Sequence, residues 1–206
     1  MTDNKSKIKL MDTAIALIWR SSYHNVGVAQ ICTEAGVTKG CFYHHFETKA
    51  DLFYDASIHY WHQMQTALDL IFSPTSPPRQ QLTDLIAFIL SKQQDNISDD
   101  MNPVSGCPFF TAGGQIGDDE HKIRLAAQEI SQKAITYNTA MIAGLLRENM
   151  LDGDVNPEQT GRFMYQYVMG LLLYGRVMYS FDIIKTDIHT GIYRLIGLKK
   201  EYWHTI

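Results

Sequence analysis

The chain has 206 residues, 45% of them hydrophobic and 19% charged, which excludes a disordered polyelectrolyte and supports a packed core. Its net charge of −4 is unevenly spread: residues 1–50 carry six basic side chains (Lys5, Lys7, Lys9, Arg20, Lys39, Lys49) against four acidic ones (Asp3, Asp12, Glu34, Glu47), and the remainder carries twelve against eighteen. A basic module on an acidic body is the footprint of a nucleic-acid binder rather than of a uniformly acidic protein.

Helical periodicity runs almost throughout. Ile8, Met11, Ile15 and Ile18 recur at three and four residues and predict a first helix. Val28, Ile31, Cys32 and Ala35 predict a short second one, ended by Gly36. Thr38 is placed to cap a third that turns Phe42 and Phe46 to one face. Thr48 with Asp51 resembles a capping box and opens a long fourth helix with Leu52, Phe53, Ala56, Tyr60, Met64, Ala67, Leu68 and Ile71 inward. "SPTSPP" ends it. Ser76 then reads as the cap of a fifth helix, with Pro77 at its first position and a stripe of Leu82, Leu85, Ile86 and Ile89.

The stretch 102–120, with its two Pro and four Gly, predicts turns around at most one short helix. Ile123, Ala127, Ile130, Ala134, Tyr137, Met141 and Leu145 mark a long helix. "NPEQ" at 156–159 is a strong start signal for another, apolar on more than one side through Met178. A last helix carries Ile188, Ile192, Leu195 and Ile196. No strand pattern competes, so the expected fold is all-α: an amino-terminal three-helix unit followed by a helical bundle.

The chain has no apolar run near the roughly 20 residues of a membrane span, since its richest stretch is broken by Gly170, Gly175 and Arg176. "MTDNKSKIKLMDT" lacks the apolar core of a signal peptide. Cys32, Cys41 and Cys107, odd in number and far apart, suit a reducing compartment. The expected location is cytoplasmic, with no membrane partner.

Residues 28–46 have the makings of a helix-turn-helix. Cys32 is the small residue that lets two short helices cross, Gly36 makes the turn, and Ile31, Ala35, Val37 and Phe42 form the apolar wedge. The second helix would present its amino-terminal half to a major groove. Thr38, Lys39, Gly40, Tyr43 and His44 face outward, with Cys41 and His45 at the margins. Lys39 suits a phosphate or a guanine edge, and Tyr43 a phosphate or a thymine methyl. Lys49, opening the next helix, adds a cation and free N–H groups for another phosphate.

"VAQICTEAGVTKGCFYHHFETKADLF", residues 28–53, resembles the signature of TetR-type (TetR/AcrR) bacterial transcriptional regulators. The turn glycine, "KG", "FYHHF" and "TKADLF" fall in order and spacing; the rest of the chain fits only as a pattern of helix lengths. The resemblance implies a helix-turn-helix DNA-binding domain over 1–50 and a helical ligand-binding and dimerisation domain over 51–206. It implies a homodimeric repressor, not an enzyme, released from a palindromic double-stranded operator by a small-molecule effector or an electrophile. Three departures stand out: Val26-Gly27 replaces a hydroxyl cap, Ala29 an arginine, and Cys41 a threonine.

The same residues admit other readings. Cys41 with His45, and His59 with His62, have ligand spacings, yet neither pair reaches three convergent ligands, so no metal and no cofactor is expected. Cys107 in "SGCPFF" reads as a small buried residue or, as in a TetR-like subgroup, as an electrophile sensor. Trp61, Met64, Phe88, Cys107, Phe110, Tyr137, Met141 and Tyr165 are the candidates for an effector pocket. The alternative is a small-molecule-binding enzyme or carrier whose helix-turn-helix no longer functions. Gly170 and Gly175, on the broad apolar face of the helix from Pro157, suit close helix approach in a dimer.

Overall fold

A computed structural model describes residues 2–94, 104, 106–115 and 121–203. The parts of the irregular 102–120 stretch at 102, 103, 105 and 116–120 lie outside the described residues. The helices are α1 Thr2–Arg20, α2 Val28–Ala35, α3 Lys39–His45, α4 Lys49–Ile71, α5 Pro78–Gln94, α6 Pro108–Gln115, α7 His121–Arg147, α8 Pro157–Val177 and α9 Phe181–Ile196. A 3-10 turn at Lys200–Tyr202 follows. Among the described residues there is no strand, only an isolated antiparallel bridge between Leu151 and Leu198. The expected all-α class is the observed one.

Most expected caps are present. Thr38 Oγ1 accepts from the Cys41 N–H at 3.2 Å and starts α3. The Thr48 N–H donates to Asp51 at 3.0 Å, and the Asp51 N–H returns to Thr48 Oγ1 at 3.1 Å, a reciprocal box that starts α4. Asn156 Oδ1 accepts from the Gln159 N–H at 2.9 Å before α8. The α5 start differs: its first residue is Pro78, and the Pro77 carbonyl accepts from the Gln80 and Gln81 N–H groups. Two successive prolines each lack an N–H, so the turn begins one residue later than one cap-Pro pair predicts. In α1 the inward stripe is Leu10, Met11, Ala14, Ile15, Leu17 and Ile18, while Ile8 is exposed.

Packing divides the chain into two compact units: Met1–Gln65 with Cys107–Ile130, and Thr66–Gly106 with Ser131–Ile206. These units cut the chain differently from the functional division expected at residue 50. In the first unit, Phe109 of α6 sits among aromatic rings from α1 and α4. Its centroid lies 6.1 Å from Trp19, 6.0 Å from Phe53 and 5.3 Å from Tyr60. Lys122 pairs with Asp51, and the Tyr54 hydroxyl donates to Glu129 at 2.9 Å. These contacts tie the start of α7 to the start of α4.

In the second unit, α8 packs on α9 and on α7 through small residues. A methyl group on Gly175 would stand 2.7 Å from Ile184 Cδ1, and one on Gly161 would stand 2.9 Å from the Thr139 nitrogen. Gly175 is thus spent within the subunit, whereas Gly170 faces open space. The Asp152 N–H donates to the Gly197 carbonyl at 2.7 Å and the Lys199 N–H to Met150 at 3.0 Å, fixing the α7–α8 link to the end of α9.

Candidate functional site

The α2–α3 corner is built by local chemistry. α2 stops because Gly36 enters the left-handed region at φ 61°, and the Val37 N–H then reaches back to the Cys32 carbonyl at 2.9 Å. A side chain at that φ is strained, so glycine is favoured there. Ile31 and Ala35 are fully buried, and Cys32 nearly so. Burial pushes the Cys32 thiol pKa up, with Lys39 opposing it, so this cysteine is packing rather than a nucleophile. Phe42 is fully buried and Phe46 almost so, and they lock α3 against the core.

With Phe42 and Phe46 inward, α3 has an outward face. Thr38, Lys39, Gly40, Tyr43 and His44 are exposed, and Cys41 and His45 are half-buried. Tyr43 keeps 58% of its surface accessible, its ring edge-on to Phe42 at 5.1 Å. Tyr43 thus stands exposed near Lys39 on a seven-residue helix that Phe42, and Phe46 at its C-cap, hold against the core.

Two expected contact residues are engaged inside the unit. The His45 Nε2 lies 2.8 Å from Ser6 Oγ, joining the end of α3 to the start of α1. The Lys49 ammonium donates to the Tyr23 carbonyl at 2.9 Å and the Val26 carbonyl at 3.1 Å, and lies 4.0 Å from the Tyr23 ring centre. Neither partner was legible in the sequence, since each lies more than twenty residues away. As the sequence anticipated, α2 lacks a side-chain cap: Gly27 stands at its N-cap with no side-chain bond.

The eight effector-pocket candidates are distributed over both units. Trp61, Met64, Cys107 and Phe110 belong to the first; Phe88, Tyr137, Met141 and Tyr165 belong to the second. Met141 and Tyr165 are buried, and the Tyr165 hydroxyl lies 2.8 Å from Ser131 Oγ. Tyr137 stacks near Phe72 at 4.9 Å and donates to Asp69. Phe88 is half-buried, and Lys92 reaches over its ring. Trp61 is buried, Met64 half-buried, and Phe110 is 41% exposed.

Cys107 is half-buried at the start of α6, its carbonyl accepting from the Thr111 N–H at 3.0 Å. Burial pushes its thiol pKa up, outweighing the Phe110 and Phe109 N–H groups that favour the thiolate. His59 lies 3.3 Å from Asp12 and 3.0 Å from Gln63. Among the described residues no group of three or more His, Cys, Asp or Glu is placed to hold a metal.

Residues 10–56 match the model for bacterial regulatory proteins of the tetR family. The whole fold is similar to solved structures. A TetR-family regulator from Agrobacterium tumefaciens has a TM-score of 0.82 at 17% identity, covering 93% of this chain and 98% of that one. NemR from E. coli, in its reduced form, has a TM-score of 0.76 at 19% identity, covering 95% and 99%. A cysteine mutant of the TetR-family regulator CifR, complexed with 26 bp double-strand operator DNA, has a TM-score of 0.71 at 16% identity, covering 91% and 93%. At such identities these likenesses are likenesses of fold. Comparison with curated proteins gives no match. The matched segment spans the α2–α3 corner and its buried anchors, so residues 10–56 form a segment similar to the tetR-family regulatory domain, within a fold that nearly the whole chain shares with solved TetR-family structures.

Proposed function

We propose that the protein is an effector-responsive repressor that binds a palindromic operator as a homodimer. The observation that carries this reading is the outward face of α3: Lys39, Gly40, Tyr43 and His44 exposed on a helix held by buried Phe42. Thr38, Lys39, Gly40 and Tyr43 are the direct contacts, with Cys41 and His44 at the edge of the footprint. One such unit is small, and a pair of recognition helices about one helical turn apart supplies specificity. CifR, a protein of similar fold, is known complexed with a duplex operator, which supports the same partner here.

The dimer surface we assign to α8, whose Phe163, Leu173, Tyr174 and Val177 are 42%, 47%, 52% and 73% exposed. Four large apolar side chains on one helix exceed what an isolated surface tolerates. α4 is continuous from Lys49 to Ile71 and contributes to both units, so it is the proposed transmitter of effector binding. Cys107, half-buried at the start of α6 whereas Cys32 is buried, is the proposed electrophile target.

Duplexes selected from a random pool and tested by gel shift decide the matter. Wild-type protein should enrich a palindrome, and its affinity should fall steeply with salt, because phosphate contacts release counterions. Tyr43→Ala should weaken binding about tenfold or more while the protein stays folded and dimeric. Enrichment of no sequence, or a Tyr43→Ala protein that binds as wild type, overturns the assignment and favours a carrier or enzyme.

A further inference from the structure

We infer that Lys49 is a positioning residue for the α1–α2 loop and makes no phosphate contact. It rests on the reading of α3 as the DNA-binding helix, and sets out how that helix is held. α2 begins at Val28, and Gly27 at its N-cap has no side chain to cap it. The carbonyls of the loop before it find a separate anchor, one that leaves the N–H groups of the helix start untouched. The Lys49 ammonium supplies one, donating to the Tyr23 carbonyl at 2.9 Å and to the Val26 carbonyl at 3.1 Å. Its charge also stands 4.0 Å from the centre of the Tyr23 ring, within cation–π range.

That ring is itself fixed. Tyr23 is almost fully buried and packs edge-on against Phe53 of α4 at 5.2 Å. The same Phe53 lies beside Phe109 of α6. The ammonium is thus enclosed between two carbonyls and an aromatic face, and Lys49 is half-buried. Withdrawing it to reach a phosphate would break two charge-assisted hydrogen bonds and leave both carbonyls without this donor. The sequence stretch that opens α4 thus holds α2, and through the Gly36 corner it sets the angle at which α3 is presented.

The test compares wild type with Lys49→Met and Lys49→Arg on the duplex that the wild-type protein selects. Lys49→Met should weaken binding about tenfold, from the loss of charge-assisted bonds. The slope of log affinity against log salt should stay the same. Lys49→Arg, which keeps two donors, should recover most of the affinity. A phosphate contact predicts a slope shallower by about 0.9 per contact, or about 1.8 per dimer, and that result would overturn the proposal. Unchanged affinity in Lys49→Met also overturns it.

A second measurement needs no DNA. Amide hydrogen exchange across residues 22–31 should quicken in free Lys49→Met and stay unchanged over α5 and α8; no local quickening ends the idea. If the Met variant does not fold, Lys49→Arg takes its place in this measurement, since it keeps both the charge and the donors. Lys49→Arg should then protect residues 22–31 nearly as wild type does, and failure to do so overturns the clamp. A wild-type protein that selects no duplex would refute the repressor reading while leaving the exchange result to judge the clamp alone.

Discussion

At the residue scale, Asp51 shows how one side chain joins local and tertiary structure. It accepts from the Thr48 N–H and hydroxyl and pairs with Lys122 of α7. These donors, Lys122 first, hold its carboxyl below the usual carboxylate range against the opposing effect of burial. The folded-state value is depressed, so the stabilisation is complete above the unfolded value of about 3.9 and is lost as pH falls through the folded one. Asp51→Asn should therefore lower the melting temperature at neutral pH, and the gap from wild type should close as the solution is acidified below about pH 4. Melting curves across pH check this; a gap independent of pH means that the box matters and the charge does not.

At the element scale, helix approach is set by glycines that the sequence shows only as interruptions. Gly161 faces Thr139 of α7, where an added methyl would stand 2.7 Å from Oγ1 and 3.1 Å from Cα. Backbone cannot yield as a flexible side-chain tip does, so Gly161→Ala should cost about 1–3 kcal/mol. Denaturant melts should show a lower midpoint with an unchanged slope; no loss would mean that α7 and α8 are free to separate. The helices themselves were legible, because apolar spacing and caps at Thr38, Thr48 and Asn156 are local signals. Gly36 and the inward Phe42 were legible for the same reason. The direction of Lys49 and His45 was not: their partners at Tyr23, Val26 and Ser6 are set by how helices cross, which no local pattern encodes. Phe109 likewise reads as a generic apolar residue in a Gly- and Pro-rich stretch, yet it lies in the aromatic cluster of the amino-terminal unit.

At the scale of the whole molecule, operator binding should depend on assembly. On the proposed reading, the net charge of −4 opposes approach to DNA, and a second copy of the recognition helix adds the contacts that one short helix lacks. Val177 is the most exposed of the large apolar side chains on α8, at 73%, and Leu173 lies one turn before it on the same face at 47%. In a monomer an aspartate at Val177 would remain in water and cost the fold little. Inside a helix-bundle interface it would be desolvated opposite its own symmetry mate, where like charges repel. Val177→Asp should leave helix content and melting of the monomer near wild type. Its dimer dissociation constant should rise about tenfold or more, and operator affinity should become concentration-dependent over the same range. Sedimentation beside gel shifts separates the outcomes. A Val177→Asp protein that stays dimeric moves the interface off this face, and a monomer that still binds the palindrome tightly removes the need for two recognition helices.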